Sequence, residues 1–399
     1  MKLSLAAPCL VLLSWFALGS TIKVPKDQPT IQAGINAANP GDTVLVAPGK
    51  YMENINFLGK AITVKSSGGA AVTTIDGNQQ GTVATFDSGE GLNSILSGFT
   101  LQNGEGGVSI GSSSPTVRQN IIQKSAPNCA NGVYIESASP LIQANVIRDN
   151  SQEGCDGGFG AGISIGGAGS AQIIGNLIEN NSSPIGSGGG GIAMDAAGTP
   201  TLRNNVIRGN SVSGQGGGIW IINDSNPLIV QNLIYDNTAS QGGGIWFGVV
   251  EGQVGPTLVN NTIVGATGIS EGSAVFAGGF DDQVQFFNNL MIGLSGENAV
   301  YCDGTYSQQP PTFTNNDAYS PQGTGLQGTC ASQGNQNGNI SKNPKFVSPA
   351  KRNYQLRSGS RAINAGTNSA PDLPKKDLAG HPRIVGGTID IGAYEFQGK

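Results

Sequence analysis

The chain has 399 residues, 63 of them glycine, and only 12% are charged, about half the share in an average soluble domain. Glycine without a three-residue period excludes collagen, and the ordinary apolar content excludes a disordered polymer. Net charge is −5, unevenly spread: residues 125–341 hold three cations against fifteen acids, and residues 342–399 hold ten cations against four acids.

In chain order, the opening "MKLSLAAPCLVLLSWFALGS" has a lysine, an apolar run and then small residues. This is the pattern of a secretory signal peptide, residues 1–19, cut after Ala17-Leu18-Gly19. The run is short for a membrane span, and no later segment is apolar enough to cross a bilayer. A secreted or surface-exposed monomer is expected. Next, "QPTIQAGINAANPGD" reads as a short amphipathic helix with Thr30 as N-cap and Pro40-Gly41 as stop.

The body is a repeat. "PTVRQNIIQK", "PLIQANVIRDN", "AQIIGNLIENN", "PTLRNNVIRGN", "PLIVQNLIYDN", "PTLVNNTIVG", "VQFFNNLMIG" and "PTFTNNDAYS" share one frame. It aligns Asn120, Asn145, Asn176, Asn205, Asn232, Asn261, Asn289 and Asn316 at intervals of 25 to 31 residues. A second column follows five residues later, at Asn150, Asn181, Asn210 and Asn237. Most units begin with a glycine-led strand such as "GGIWI" or "GGIWF". Apolar residues alternate with a period of two, so each unit reads as three short strands. One unit cannot bury a core alone. Stacked as a coil at about 4.8 Å per turn, the units enclose one apolar column, and the asparagine amides queue along it. The expected fold is all-β, a right-handed parallel β-helix over residues 20–340 with the helix covering its first coil. Residues 341–399, where the repeat fades, are expected to form an irregular basic C-terminal cap.

Four cysteines follow the leader. Cys129 and Cys155 occupy nearly the same place on consecutive coils, as do Cys302 and Cys330. Bridges Cys129–Cys155 and Cys302–Cys330 are expected in an oxidising compartment, with free buried thiols as the alternative.

Both tryptophans of the body stand in the glycine-led strands, at Trp220 and Trp246. Alternation turns them outward, in a column with Ser109, Tyr134, Ser164, Ala193, Val275 and Tyr301. The next outward column holds Glu136, Asp195 and Asp303, with Asn223 and Asp224 just beyond. Exposed indoles in a row call for a cover. A sugar chain stacked on Trp220, Trp246, Tyr134 and Tyr301, with Asp224 and Asp303 binding hydroxyls, is one; a turn loop folded over them is the other. Glu136 and Asp195, two coils apart, are the candidate carboxylate pair for hydrolysis. Lysine is absent from 125–341, and Arg148 and Arg208 fall on a different strand. The base for a lyase is therefore weakly represented. Asp281-Asp282 is a candidate Ca²⁺ ligand pair, with an exposed acidic turn as the alternative. The lone His381 lies in the C-terminal segment. The acidic body excludes nucleic acid and suits a neutral glycan better than a uronate, unless Ca²⁺ bridges the like charges.

"TIQAGINAANPGDTVLVAPGKYMENI", "LSGFTLQNG" and the glycine–asparagine coils resemble secreted right-handed parallel β-helix proteins of the pectin-lyase-like superfamily. The closing "DLAGHPRIVGGTIDIGAYE" is similar to a segment of choice-of-anchor Q proteins. The resemblance implies an extracellular polysaccharide partner, and either a carbohydrate-active lyase or glycoside hydrolase or a non-catalytic glycan-binding or structural rod. Fold alone does not choose among these.

Overall fold

The computed structural model describes residues 19–125, 130–153, 159–265 and 271–398. Its body is a right-handed parallel β-helix. Each circuit of the chain lays one strand in each of three sheets, giving sheets of 12, 11 and 11 strands. Sheet A runs from Thr21–Val24 to Thr312–Thr314, sheet B from Gly49–Met52 to Asp317–Tyr319, and sheet C from Ile55–Asn56 to Leu326–Gly328. Each strand pairs in parallel with its counterpart one coil away, as in Ile219↔Ile245 and Trp220↔Trp246. Inward residues such as Ile142, Ile147, Ile219 and Phe247 are fully buried. Each such side chain contributes about 1.5–3 kcal/mol by leaving water.

The asparagines do what their spacing predicts. Asn205 Nδ2 donates to Asn232 Oδ1 at 2.9 Å and to Ile173 O at 2.8 Å, and its Oδ1 accepts from Asn176 N at 2.9 Å and Nδ2 at 3.1 Å. The same pattern runs from Asn120 to Asn316 and continues to Asn339. The second file, Asn150 to Asn237, is joined in the same way. The residue before each of the eight aligned asparagines has φ between 53° and 64°, whether it is Gln119, Ala144, Gly175 or Asn204. That left-handed step turns the chain from sheet A into sheet B, and the amide that follows satisfies the backbone of the corner.

The glycine before most sheet C strands has a steric cause. A Cβ on Gly162, Gly191 or Gly218 would lie 2.5, 2.6 or 2.5 Å from the carbonyl oxygen of the matching residue one coil on. At these three coils only a bare backbone passes; farther along, Ala274 and Ala299 take the same place.

Thr30 caps the helix Ile31–Ala37, its Oγ1 accepting from Ala33 N at 3.0 Å. The Glu53 carboxylate accepts from the next two free amides, Ile31 N and Gln32 N, both at 2.9 Å. An anion there also meets the positive end of the helix dipole. Ile31, Gly34 and Ile35 are buried against the first coil. Cys302 and Cys330 form a disulfide across 28 residues. The expected Cys129–Cys155 bridge and nearly all of the expected signal peptide lie outside the described residues.

Residues 341–398 fold back along the flank of the β-helix. Their antiparallel hairpin, Phe346–Ser348 with Asn353–Leu356, sets Tyr354 on Tyr235 and Leu356 on Leu290 and Ile292. Farther along, Ala370 and Leu373 pack on Val230 and Val259. Asn260 Nδ2 donates to Asp390 O and Gly392 O, and Ala393 N donates to Thr262 Oγ1. This segment covers the outer wall of sheet B from Val206 to Tyr319 and the A–B corner beside it, and leaves the outer wall of sheet C open.

Candidate functional site

The open wall carries an aromatic column. Its members, in axial order, are Phe159, Trp220, Trp246, Phe276 and Tyr301, with ring centroids 4.8, 6.2, 6.0 and 5.4 Å apart. Strand register places Phe276, not Val275, beside Trp246; Val275 pairs with Ile245 and is fully buried. The expectation for Val275 is therefore off by one residue, because Ala274 replaces the usual glycine ahead of that strand. Rings stacked along the axis cover one another. Trp220 is 5% exposed, held between Phe159 and Trp246 with no face left for a sugar ring. Here the covering loop, through Phe159, is the alternative that holds. A Cβ on Gly188 would lie 2.4 Å from the Trp220 ring, so only glycine admits the indole.

Below Phe159 the column is interrupted. Register runs Tyr134, Ser164, Ala193, Trp220, so two small side chains leave a gap two coils high between the exposed Tyr134 and Phe159. This gap is a cleft of about 400 Å³, lined by Tyr134, Glu136, Phe159, Ser164, Gly166, Ala193 and Asp195 among others. Glu136 and Asp195 flank Gly166 in register, so their backbones are two coils apart, about 10 Å. Glu136 leans over the glycine: a Cβ on Gly166 would sit 2.5 Å from its Oε2. That lean shortens the separation toward the roughly 6.5–9.5 Å of an inverting carboxylate pair. Tyr134 donates its hydroxyl to Glu136 Oε2 at 3.0 Å, and Asn223 Nδ2 donates to Asp195 Oδ1 at 2.5 Å. Burial, then this contact with Glu136, pushes the Tyr134 hydroxyl pKa up. The proton stays on tyrosine, which remains a donor.

A second cleft, of about 410 Å³, opens farther along the same wall. Trp246 and Phe276 offer it their edges, Gly248 and Gly278 part of its floor, and Asp303, Glu251 and Tyr306 its polar rim. Tyr306 is 65% exposed and packs on Phe280 at 5.9 Å. Asp303 accepts from Thr305 N and Oγ1. Tyr301 ends the column and Asp224 is exposed in the turn after Asn223; neither lines a cleft. The structure thus gathers Tyr134, Glu136 and Asp195 in one cleft, and Trp246 and Asp303 in another. Phe159 and Tyr306 lie in loops outside the strand frame, where periodicity gives no signal. A larger hollow, about 510 Å³, lies between sheet B and the C-terminal hairpin; its one acid, Asp236, is paired with Arg352.

Residues 93–290 match the family model described as "Right handed beta helix region". A search of curated protein sequences finds no match. Among solved structures, the β-helix is similar to the pectate lyase Pel9A, with 18% identity, a TM-score of 0.61, and coverage of 91% of this chain and 90% of that one. It is also similar to the catalytic unit of a GH87 α-1,3-glucanase from Streptomyces thermodiastaticus, with 18% identity, a TM-score of 0.44, and coverage of 77% and 69%. At these identities the likeness concerns the fold.

No lysine, arginine or histidine stands on a sheet C strand of this β-helix or in the turn after one, from Gly106 to Pro311, among the described residues. Arg148 and Arg208 lie in sheet B, where Arg208 pairs with Glu179 at 2.6 Å. Of the candidate Ca²⁺ ligands, Asp281 is fully buried and Asp282 exposed, so the two do not face one site. Among the described residues no group of three or more His, Cys, Asp or Glu could hold a metal ion. His381 is half-exposed beside Asp377 in the C-terminal segment, away from both clefts.

Proposed function

We propose that this protein recognises an uncharged extracellular polysaccharide laid along the outer wall of sheet C. The observation that carries the reading is the cleft between Tyr134 and Phe159. It offers aromatic side chains at either end, a floor of small residues, and carboxylates that accept hydrogen bonds from sugar hydroxyls. The second cleft, about three coils away, provides a further contact for a ligand longer than one cleft. A neutral ligand suits a wall bearing only acids. The shared fold with a pectate lyase supports a carbohydrate ligand. An elimination is less well supported, because among the described residues no lysine, arginine or histidine stands on this wall to serve as base and neutralise a uronate. The leader-like residues 1–19 and the Cys302–Cys330 bridge support export to an oxidising compartment. The same features suit a protein at a cell surface or in free solution.

A second reading, inverting hydrolysis, is favoured by the facing of Glu136 and Asp195 across one cleft. One carboxyl would protonate the leaving oxygen while the other activates water. A panel of neutral and acidic polysaccharides separates the readings. Retention of a neutral polymer without cleavage supports recognition alone, and new reducing ends support hydrolysis. Tyr134→Ala is expected to weaken retention at least about tenfold, the loss of one stacked ring and its hydrogen bond. Retention of no neutral polymer, or retention indifferent to Tyr134→Ala, overturns the proposal.

A further inference from the structure

The cations of the C-terminal segment are concentrated. No acidic residue occurs from Ala318 to Pro371, while Lys342, Lys345, Lys351, Arg352, Arg357 and Arg361 all fall there and all are exposed. Four of them, Lys345, Lys351, Arg352 and Arg357, are mounted on the hairpin, and Lys342 and Arg361 flank it in the chain. Arg357 N donates to Lys345 O at 3.0 Å, so these two close its open end. Lys351 and Arg352 form its tip, about three strand residues or ~10 Å away. The underside is apolar: Tyr354 meets Tyr235 at a tilt, with ring centroids 5.2 Å apart, and meets Phe346 edge-on at 5.2 Å. That packing fixes the hairpin on sheet B and directs its charges to solvent.

The acids that face it are already engaged. Asp236 pairs with Arg352 at 2.5 Å, and the buried Asp317 accepts from Lys342 N at 3.0 Å. Lys345, Lys351 and Arg361 have no ion pair among the described residues, and the Arg357 guanidinium is spent on Val347 O.

We propose that this hairpin is a docking surface for a linear polyanionic glycan, one bearing sulfate, phosphate or carboxylate groups. A rigid row of unpaired cations attracts such a polymer through counterion release, as it does any polyanion. A bilayer is disfavoured because no large apolar side chain is exposed in residues 341–371. Nucleic acid is disfavoured because the hairpin's aromatics, Phe346 and Tyr354, are turned into the protein and cannot stack on bases. The acidic wall of sheet C repels the same polymer. Binding therefore fixes which side of the β-helix faces outward, and it stands independently of the neutral-glycan reading.

The test uses the full chain on immobilised dextran sulfate and on unmodified dextran. Retention on dextran sulfate is expected at about 20 mM salt and release well below about 0.5 M, where screening is short-ranged. The triple variant Lys345→Gln, Lys351→Gln, Arg361→Gln removes side chains with no structural partner, and it is expected to weaken binding at least about tenfold. The charge-matched control Lys23→Gln, Lys26→Gln, Lys65→Gln, at the other end of the molecule, is expected to leave binding unchanged. No retention at low salt, equal weakening by the control, or tighter binding to phosphatidylglycerol vesicles than to dextran sulfate would each overturn the proposal. Tyr134→Ala should not alter this binding, so its failure and that of the sheet C reading are distinguishable.

Discussion

Replacing Asn205 by alanine tests the amide file at its middle. The side chain is fully buried and makes four hydrogen bonds. Its loss leaves Asn176 N without an acceptor and removes a donor from Ile173 O, both in the interior. The remaining two bonds involve amides that keep other partners: Asn176 Nδ2 still donates to Ile142 O, and Asn232 Oδ1 still accepts from Asn205 N. One orphaned buried donor at about 1–3 kcal/mol, plus about 0.5–1.5 kcal/mol for the bond lost at Ile173 O, which keeps its ladder donor, gives an expected loss of about 1.5–4.5 kcal/mol. Guanidinium denaturation followed by far-UV circular dichroism measures it, from the midpoint at unchanged slope. Ala144, exposed at φ 53° in the matching corner two coils away, is the control, and Ala144→Gly is expected to change stability by under about 1 kcal/mol. A loss below about 1 kcal/mol for Asn205→Ala, or equal effects at the two positions, would refute the claim that the file holds the corners.

Other outcomes follow from the same structure. Asp281 is buried, its carboxyl meets no hydrogen-bond partner beyond its own backbone, and burial followed by repulsion from Asp282 and Asp303 pushes its pKa up to about 7. A folded-state pKa raised above the unfolded value gives stability that is complete below about pH 4 and is lost as pH rises through about 7. Asp281→Asn should therefore raise the thermal midpoint at pH 8 and leave it unchanged at pH 4; an equal change at both would refute the assignment. Removing the Cys302–Cys330 bridge by paired alanine substitution should cost roughly 3–4 kcal/mol for its 28-residue loop on the chain-entropy account. Faster proteolysis within Leu326–Asn339 would report it. Gly191→Ala, which sets a Cβ 2.6 Å from Gly218 O, should cost over about 2 kcal/mol, measured by denaturant midpoint. Glu136→Gln should weaken glycan retention more than Asp224→Asn, because only Glu136 lines the cleft; the reverse order would discard that cleft as the site.

The coil, its amide files and the Cys302–Cys330 bridge were legible because each depends on a strict interval between like residues. Thr30 was legible because a cap is a local motif. The aromatic column was half legible. Trp220 and Trp246 share the glycine-led frame, but on the strand of Phe276 alanine stands where the frame's glycine marks the start, and Phe159 arrives from a loop with no frame at all. For the same reason the sequence shows that two indoles stack yet not that they are covered. Glu136 and Asp195 were placed in one column by alternation alone. That their cleft is walled by Tyr134 and Phe159 depends on Ser164 and Ala193 being small, which draws notice only once the column is assembled. The route of residues 341–398 along sheet B was not legible, because its contacts with Tyr235, Leu290 and Thr262 obey no period.

Insertions between coils enter at the corners, as the 25- to 31-residue intervals attest, while the strands stay in register. Distances along the sheet C wall therefore come only in whole steps, like marks on a ruler. A loop can lengthen without moving any mark, so a bound polymer meets fixed graduations, and changing which repeat spacing it fits takes a whole added or deleted step.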